Sequence, residues 1–231
     1  MFFFDPVYLV FVLPGLLLAL YAQWKVKSTY AKYTRVANMQ RMTGAEVAER
    51  LLRITGLNRV SIEGTPGELT DHYDPRGRVL RLSQEVYRTP SIAAMGIVAH
   101  EVGHAVQDNT GYWPMRLRAG LVPAASLGSN LGIILFFVGM LIRWSGLMWM
   151  GVIFFVAAVL FTLFTLPVEL NASRRAKQLL MNNGLVSRVE YDAISAVLSA
   201  AALTYVAALL QAIGQLLYFA MVASGMSRSR D

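Results

Sequence analysis

Ala99-His100-Glu101-Val102-Gly103-His104-Ala105 is the stretch from which the rest of this chain is read. On a helix, positions i and i+4 lie on one face about a turn apart, so His100 and His104 reach one metal ion together. Glu101 projects beside them, where it can take a proton from a water at that metal. The run His-Glu-x-x-His is thus a zinc site and a general base in five residues. The chain has 3 histidines, and two of them fall in this pattern. The flanking sequence predicts a helix over 90–109. Thr89 serves as N-cap, Pro90 takes the first helical position, and Gly111 ends the helix after Asn109-Thr110. Ile92, Met95, Ile97 and Val98 supply its apolar face. Gly103 is a poor helix former, understandable where another backbone or a substrate comes close, or where helices pack tightly.

Composition sets the surroundings of that helix. The chain is 231 residues long, 55% apolar, with a mean hydropathy of +0.47. Four stretches carry no charge: 6–24, 119–142, 144–168 and 193–227. A spanning helix needs about 20 apolar residues, so each is a membrane-span candidate. The Ala/Ser-rich start of the last stretch also suits a helix buried against protein, leaving the span nearer 203–222. The first stretch lacks the basic leader of a signal peptide. Its charges follow instead, as Lys25, Lys27 and Lys32, the pattern of an uncleaved anchor with its N-terminus outside. Without cysteine, a metal must be held by histidine and carboxylate.

Charge gives the orientation. Of 21 Lys and Arg, 14 lie in 25–118 and 4 in 169–192, leaving Arg143, Arg228 and Arg230 for the opposite side. The positive-inside rule places both larger loops in the cytoplasm. This distribution accounts for the net charge of +7, and no nucleic-acid module is visible, so nucleic acid is excluded as a partner. The expected organisation is an anchor (1–24), a cytoplasmic block (25–118), a two-span hairpin (119–168), a cytoplasmic segment (169–192) and a C-terminal span with its tail (193–231).

A catalytic zinc takes three protein ligands, so the helix still lacks one. His72 and Glu169 are the candidates, and topology favours Glu169. The chain leaves the zinc helix, crosses out, turns at Arg143-Trp144-Ser145-Gly146 and crosses back, so Glu169 emerges on the side of His100 and His104. Acids at such positions are functional by default.

Ala-His-Glu-x-Gly-His-Ala, the downstream Glu169-Leu170-Asn171-Ala172-Ser173-Arg174-Arg175-Ala176 and the upstream Asp71-His72-Tyr73-Asp74-Pro75 together resemble the YugP-type bacterial membrane zinc metallopeptidases. The resemblance covers nearly the whole chain. It implies peptidase activity, one Zn2+ per chain, and residence in the bacterial cell membrane with several spans and a cytoplasmic active site. More distantly the pattern is similar to the HtpX-type membrane proteases, whose Glu-x-x-Ala-Asp segment supplies the third ligand. Glu169 and Ala172 match that segment. Ser173 stands where those relatives have an aspartate that supports the metal ligands, and a serine is a weaker partner for an imidazole N–H.

In the rest of the block, Thr43-Gly44-Ala45-Glu46 reads as a capping box opening a helix towards Gly56, and Ser187-Arg188-Val189-Glu190 as a second one. The last helix, from Arg188, is longer than a bilayer core. It must extend against the catalytic block or break, with Gly214 the expected kink. Strands are predicted at 60–62, 68–72 and 78–82, separated by turns at Thr65-Pro66-Gly67 and Asp74-Pro75-Arg76-Gly77. Val79, Leu80, Arg81 and Leu82 are the candidate edge for pairing with an extended substrate, or else an ordinary sheet strand. Peptide hydrolysis needs a donor for its oxyanion, and His72, Tyr73, Arg174 and Arg175 are the candidates. Asn171 and Ser173 are the candidate supports of the ligands, and Arg174-Arg175-Lys177 also suits anionic lipid headgroups.

The expectation is a mainly α membrane protein, about four transmembrane helices plus a small α+β zincin-like cytoplasmic block. Its expected chemistry is zinc-dependent endopeptidase cleavage of peptides or membrane proteins. A non-catalytic zinc-stabilised scaffold and an interfacial hydrolase of lipid-linked substrates are the alternatives.

Overall fold

The structure is a computed structural model that describes residues 6–228. The outermost parts of the expected anchor and tail, 1–5 and 229–231, lie outside it. In chain order the elements are α1 (Pro6–Thr34), α2 (Gly44–Ile54), β1 (Ser61–Thr65), β2 (His72–Asp74), β3 (Val79–Ser83), α3 (Gln84–Arg88), α4 (Ile92–Asn109), α5 (Trp113–Leu141), α6 (Ser145–Asn182) and α7 (Arg188–Arg228). Four of these helices, α1, α5, α6 and α7, are long and apolar enough to cross a membrane. The chain is mainly helical with one small mixed sheet, as its patterning predicts.

The residues divide into two units. One comprises residues through Ala22, Trp113–Pro167 and those from Leu203 onward. Its helices leave large apolar side chains such as Leu17, Leu20, Leu127, Ile134 and Ile153 more than half exposed, a surface suited to lipid rather than water. Its interior is aromatic, with Phe136 and Phe219 stacked at 3.9 Å between ring centroids. Helix α7 runs unbroken through Gly214. A Cβ there would collide with the carbonyl of Phe11 on α1, so the glycine serves close helix approach.

The other unit is Gln23–Tyr112 with Val168–Ala202. Leu51 and Leu52 of α2, Leu80 and Leu82 of β3, Val86 of α3 and Met95, Val98 and Val102 of α4 form its core. Ala176 and Leu180 of α6 and Ile194 and Leu198 of α7 close it. Each such Leu or Ile, once buried, contributes about 1.5–3 kcal/mol. The last helix therefore takes the first of its two expected courses, its opening turns packing into this core. Both capping boxes form: Thr43 with Glu46, and Ser187 with Glu190.

Three expectations are corrected. Helix α4 begins at Ile92 with Ser91 as its N-cap, accepting from Ala94 N at 3.1 Å, so Thr89 and Pro90 do not open it. Thr89 instead ends the short helix α3. Ser91 is held extended in a bridge to Ala37, in which Asn38 N donates to Pro90 O and Ile92 N to Val36 O. The second strand lies at His72–Asp74 rather than 68–72, because Gly67 and Leu69 take positive φ and keep the preceding residues in a turn. The sheet order is β1-β3-β2, with β3 parallel to β1 and antiparallel to β2. Val79, Leu80, Arg81 and Leu82 therefore sit in the central strand, the first three paired on both sides and Leu82 with Gly64 of β1, and do not form an edge strand.

Helix α6 passes through Pro167 without interruption. Glu169, Ala172, Ser173 and Ala176 recur on one of its faces at i, i+3, i+4 and i+7, and all four are buried. That face lies against α4 at backbone contact. A Cβ on Gly103 would fall 2.7 Å from the carbonyl oxygen of Ala172. Glycine is required here for close approach of a second backbone. We expect Gly103→Ala to cost about 1–3 kcal/mol in thermal unfolding by overpacking. Zinc affinity measured by chelator competition should fall with it, because the two helices are forced apart.

Candidate metal centre

Two helices bring three donors together. His100 and His104 occupy successive turns of α4, and Glu169 comes from the facing turn of α6. Glu169 Oε2 lies 3.2 Å from His100 Nε2 and 3.4 Å from His104 Nε2. The two imidazoles stand edge to face, with 4.7 Å between ring centroids. All three candidate ligand atoms fall within 4.8 Å of one another. Donors about 2.0–2.1 Å from a tetrahedral zinc lie roughly 3.3 Å apart, so this set fits the ion in chemistry and spacing.

Each imidazole is held by its other nitrogen. His100 Nδ1 lies 3.1 Å from Ser173 Oγ, and His104 Nδ1 lies 2.9 Å from Gln107 Oε1. With Nδ1 so occupied, Nε2 is the nitrogen left facing the Glu169 carboxylate. Ser173 thus fills the supporting place for one histidine despite lacking a carboxylate. Gln107 fills it for the other, and sequence reasoning missed this residue. Its signal was present in the spacing, since Gln107 follows His104 at i+3 on the same helix face. Gln107 is fully buried, and its Nε2 donates to Val168 O at 2.8 Å and Asn171 Oδ1 at 3.0 Å.

Glu101 is buried beside the histidines, and burial pushes its carboxyl up from the ordinary range. Its Oε2 accepts the backbone N–H of Tyr73 at 3.0 Å. That N–H points away from β3 towards α4, so the outer edge of β2 faces the site, with its central donor taken by Glu101. The Tyr73 hydroxyl donates to Asp108 at 3.0 Å, and burial with that acceptor raises its pKa and keeps it protonated. Asp71 accepts from the Ser83 backbone N–H at 2.8 Å and ties the approach to β2 onto the end of β3. Arg81 pairs with Asp74 at 3.0 Å across the same two strands.

The remaining candidates are dispersed. His72 is exposed, with Nδ1 2.8 Å from the Thr70 carbonyl, and it is not among the three clustered donors. Arg174 is exposed on α6. Arg175 donates from Nε to Asn171 Oδ1 at 2.8 Å, with its guanidinium 5.9 Å from the Tyr112 ring centroid. Removing a partner that orients a ligand costs about 10–100-fold in metal affinity. Ser173→Ala should therefore weaken zinc binding by about tenfold in chelator competition while leaving helix content by circular dichroism unchanged.

Comparison with known proteins agrees with this geometry. The family model described as "Putative neutral zinc metallopeptidase" matches residues 8–224. The chain is also 47% identical over 205 residues to the "Putative membrane protease YugP" of Bacillus subtilis (strain 168), covering 89% of this chain and 91% of that relative. No solved structure gives a significant match. A membrane-protease relative of matching extent, together with four helices long and apolar enough to cross a bilayer, makes this a membrane protein. With the family model running through nearly the whole chain and zinc-competent donors at its centre, the chain belongs to the neutral zinc metallopeptidase family.

Proposed function

We propose that the chain is a zinc-dependent integral-membrane endopeptidase that cleaves peptides or membrane proteins at the cytoplasmic face of the bacterial cell membrane. The observation that carries the proposal is the convergence of His100, His104 and Glu169 beside a buried, separately held Glu101. A structural zinc site takes four protein ligands and needs no such base, and three donors cluster here among the described residues.

His100, His104 and Glu169 would hold the zinc, which supplies a Lewis acid that polarises the scissile carbonyl and acidifies water. Glu101 takes the proton from the attacking water and returns it to the leaving amine. The Tyr73 N–H fixes one oxygen of that carboxylate, so the base is presented without rotamer search. His72, Tyr73, Arg174 and Arg175 remain the proposed oxyanion donors. Of these, the Tyr73 hydroxyl already serves Asp108 and Arg175 Nε serves Asn171. The basic run Arg174-Arg175-Lys177 suits anionic headgroups at the bilayer surface.

Glu101→Gln should lower peptide hydrolysis by at least about 100-fold while one zinc per chain remains bound, because Glu101 is a base and not a ligand. Glu169→Ala should lose zinc and activity together. Metal analysis beside cleavage of unfolded peptides tests both. Loss of zinc in Glu101→Gln, or full zinc in Glu169→Ala, would show the ligand set to be wrong.

The cytoplasmic placement rests on charge, with 18 of 21 Lys and Arg in 25–118 and 169–192. Single labelling sites near Arg59 and Asn183 should both be accessible from the cytoplasm, and one at Ser145 from outside. The cysteine-free sequence makes single introduced thiols suitable for this. Opposite sides for Arg59 and Asn183 would defeat the topology.

A further inference from the structure

We infer that Arg175, acting through Asn171, joins the Val168 carbonyl in orienting Gln107 and so in fixing which nitrogen of His104 carries the hydrogen. The inference rests on His104 being a zinc ligand, but it concerns this chain's own hydrogen bonds. The relay runs from Arg175 Nε to Asn171 Oδ1 at 2.8 Å, then from Gln107 Nε2 to the same oxygen at 3.0 Å. It ends at Gln107 Oε1, 2.9 Å from His104 Nδ1.

Each amide in that relay could point either way if taken alone, because its oxygen accepts and its nitrogen donates. A guanidinium has no such freedom, since it carries only donors. Arg175 therefore requires the oxygen of Asn171 to face it. That oxygen can only accept, so Gln107 must present its nitrogen, and the Val168 carbonyl 2.8 Å from Nε2 demands the same. The Gln107 oxygen is then left for His104, and Nδ1 must bear the hydrogen. Nε2 is left with its lone pair on the side of Glu169. The start of the relay is itself anchored, with the guanidinium 5.9 Å from the Tyr112 ring centroid, within cation–π range. His100 has no equivalent. Its Nδ1 partner is the Ser173 hydroxyl, which donates or accepts at will.

A carboxylate is the commoner partner of a zinc-bound histidine, so a simple pairing would make Gln107→Glu an improvement. The relay reverses that sign. The new carboxylate would accept from His104, but its other oxygen would face the Val168 carbonyl and Asn171 Oδ1, two acceptors with no hydrogen between them. Asn171 cannot turn its nitrogen inward to help, because its nitrogen and Arg175 would then meet donor to donor.

The test is zinc affinity of the full chain in detergent by chelator competition, in four forms: wild type, Gln107→Glu, Arg175→Met and the double variant. Gln107→Glu should lose about tenfold or more. Arg175→Met alone should lose several-fold, since Asn171 is freed to turn. In the Gln107→Glu background the same Arg175→Met change should instead recover several-fold, because Asn171 can then rotate and donate to the carboxylate. A residue acting only in packing gives no such reversal of sign. With three histidines in the chain, nitrogen-15 labelling reads the outcome directly. Zinc-loaded wild type should show hydrogen on Nδ1 of His104. Gln107→Glu binding zinc as well as wild type, or Arg175→Met acting with the same sign in both backgrounds, would overturn the relay. Peptide cleavage enters none of these readouts, so failure here leaves the proposed hydrolase untouched.

Discussion

Backbone contact between α4 and α6 is the constraint on which the metal centre depends. Imidazoles and a carboxylate are short side chains, and an ion needs their donor atoms little more than 3 Å apart. Helices at ordinary separations of 8–10 Å, with side chains between them, leave no room for error in that placement. Gly103 removes the side chain that would intervene, and Ala172, fully buried opposite it, supplies the smallest one that keeps a helix favourable. The alternation of Glu169, Ala172, Ser173 and Ala176 then reads as a single device. Functional donors sit between small residues that let the two helices close.

Burying so many polar groups is tolerable only because each is answered. Glu101, His104, Gln107, Glu169 and Ser173 are all buried in this region, and each has a partner. An unanswered amide or carboxyl here would cost about 1–3 kcal/mol or more. The site is therefore rigid for an energetic reason, since a shift in one member exposes its neighbours to that penalty. The edge strand β2 is tied to Glu101 through the Tyr73 N–H, and Arg81 and Asp71 fasten that strand and its approach to β3. Helix α4 thus carries two hydrogen-bonded sets, one joining Glu101 and Asp108 to β2 and the other joining His100, His104 and Gln107 to α6.

What the sequence disclosed follows the range of each interaction. His100, Glu101 and His104 are legible because helical periodicity places them with no knowledge of the fold. The capping boxes at Thr43 and Ser187 are legible for the same reason, being closed within four residues. Glu169 was reachable by counting spans, a long-range argument made possible by the strong apolar signal of the hairpin, and by its match to the Glu-x-x-Ala-Asp segment. The Thr89-Pro90 signal placed the start of α4 too early. Pairing with Val36 and Asn38, distant in sequence, holds the chain extended up to Ser91, which caps the helix instead. The alternating pattern of Val79 to Leu82 told a strand from a helix but could not tell a central strand from an edge. Strand order depends on β1 returning parallel to β3, which no local pattern encodes. Gln107 stood at a readable spacing, yet its role depends on Val168 and Asn171, 61 and 64 residues away.

The separation between the ligands in the chain has a consequence of its own. His100 and Glu169 are 69 residues apart, and all of α5 lies between them. An ion held by both closes that segment into a ring. By the chain-entropy reckoning used for disulfides, a ring of this size restricts the unfolded chain by about 4 kcal/mol. A polypeptide without cysteine has no covalent means to that end. The ion that serves hydrolysis would then also be a reversible cross-link, and a chelator would act on the protein as a reductant acts on a secreted one.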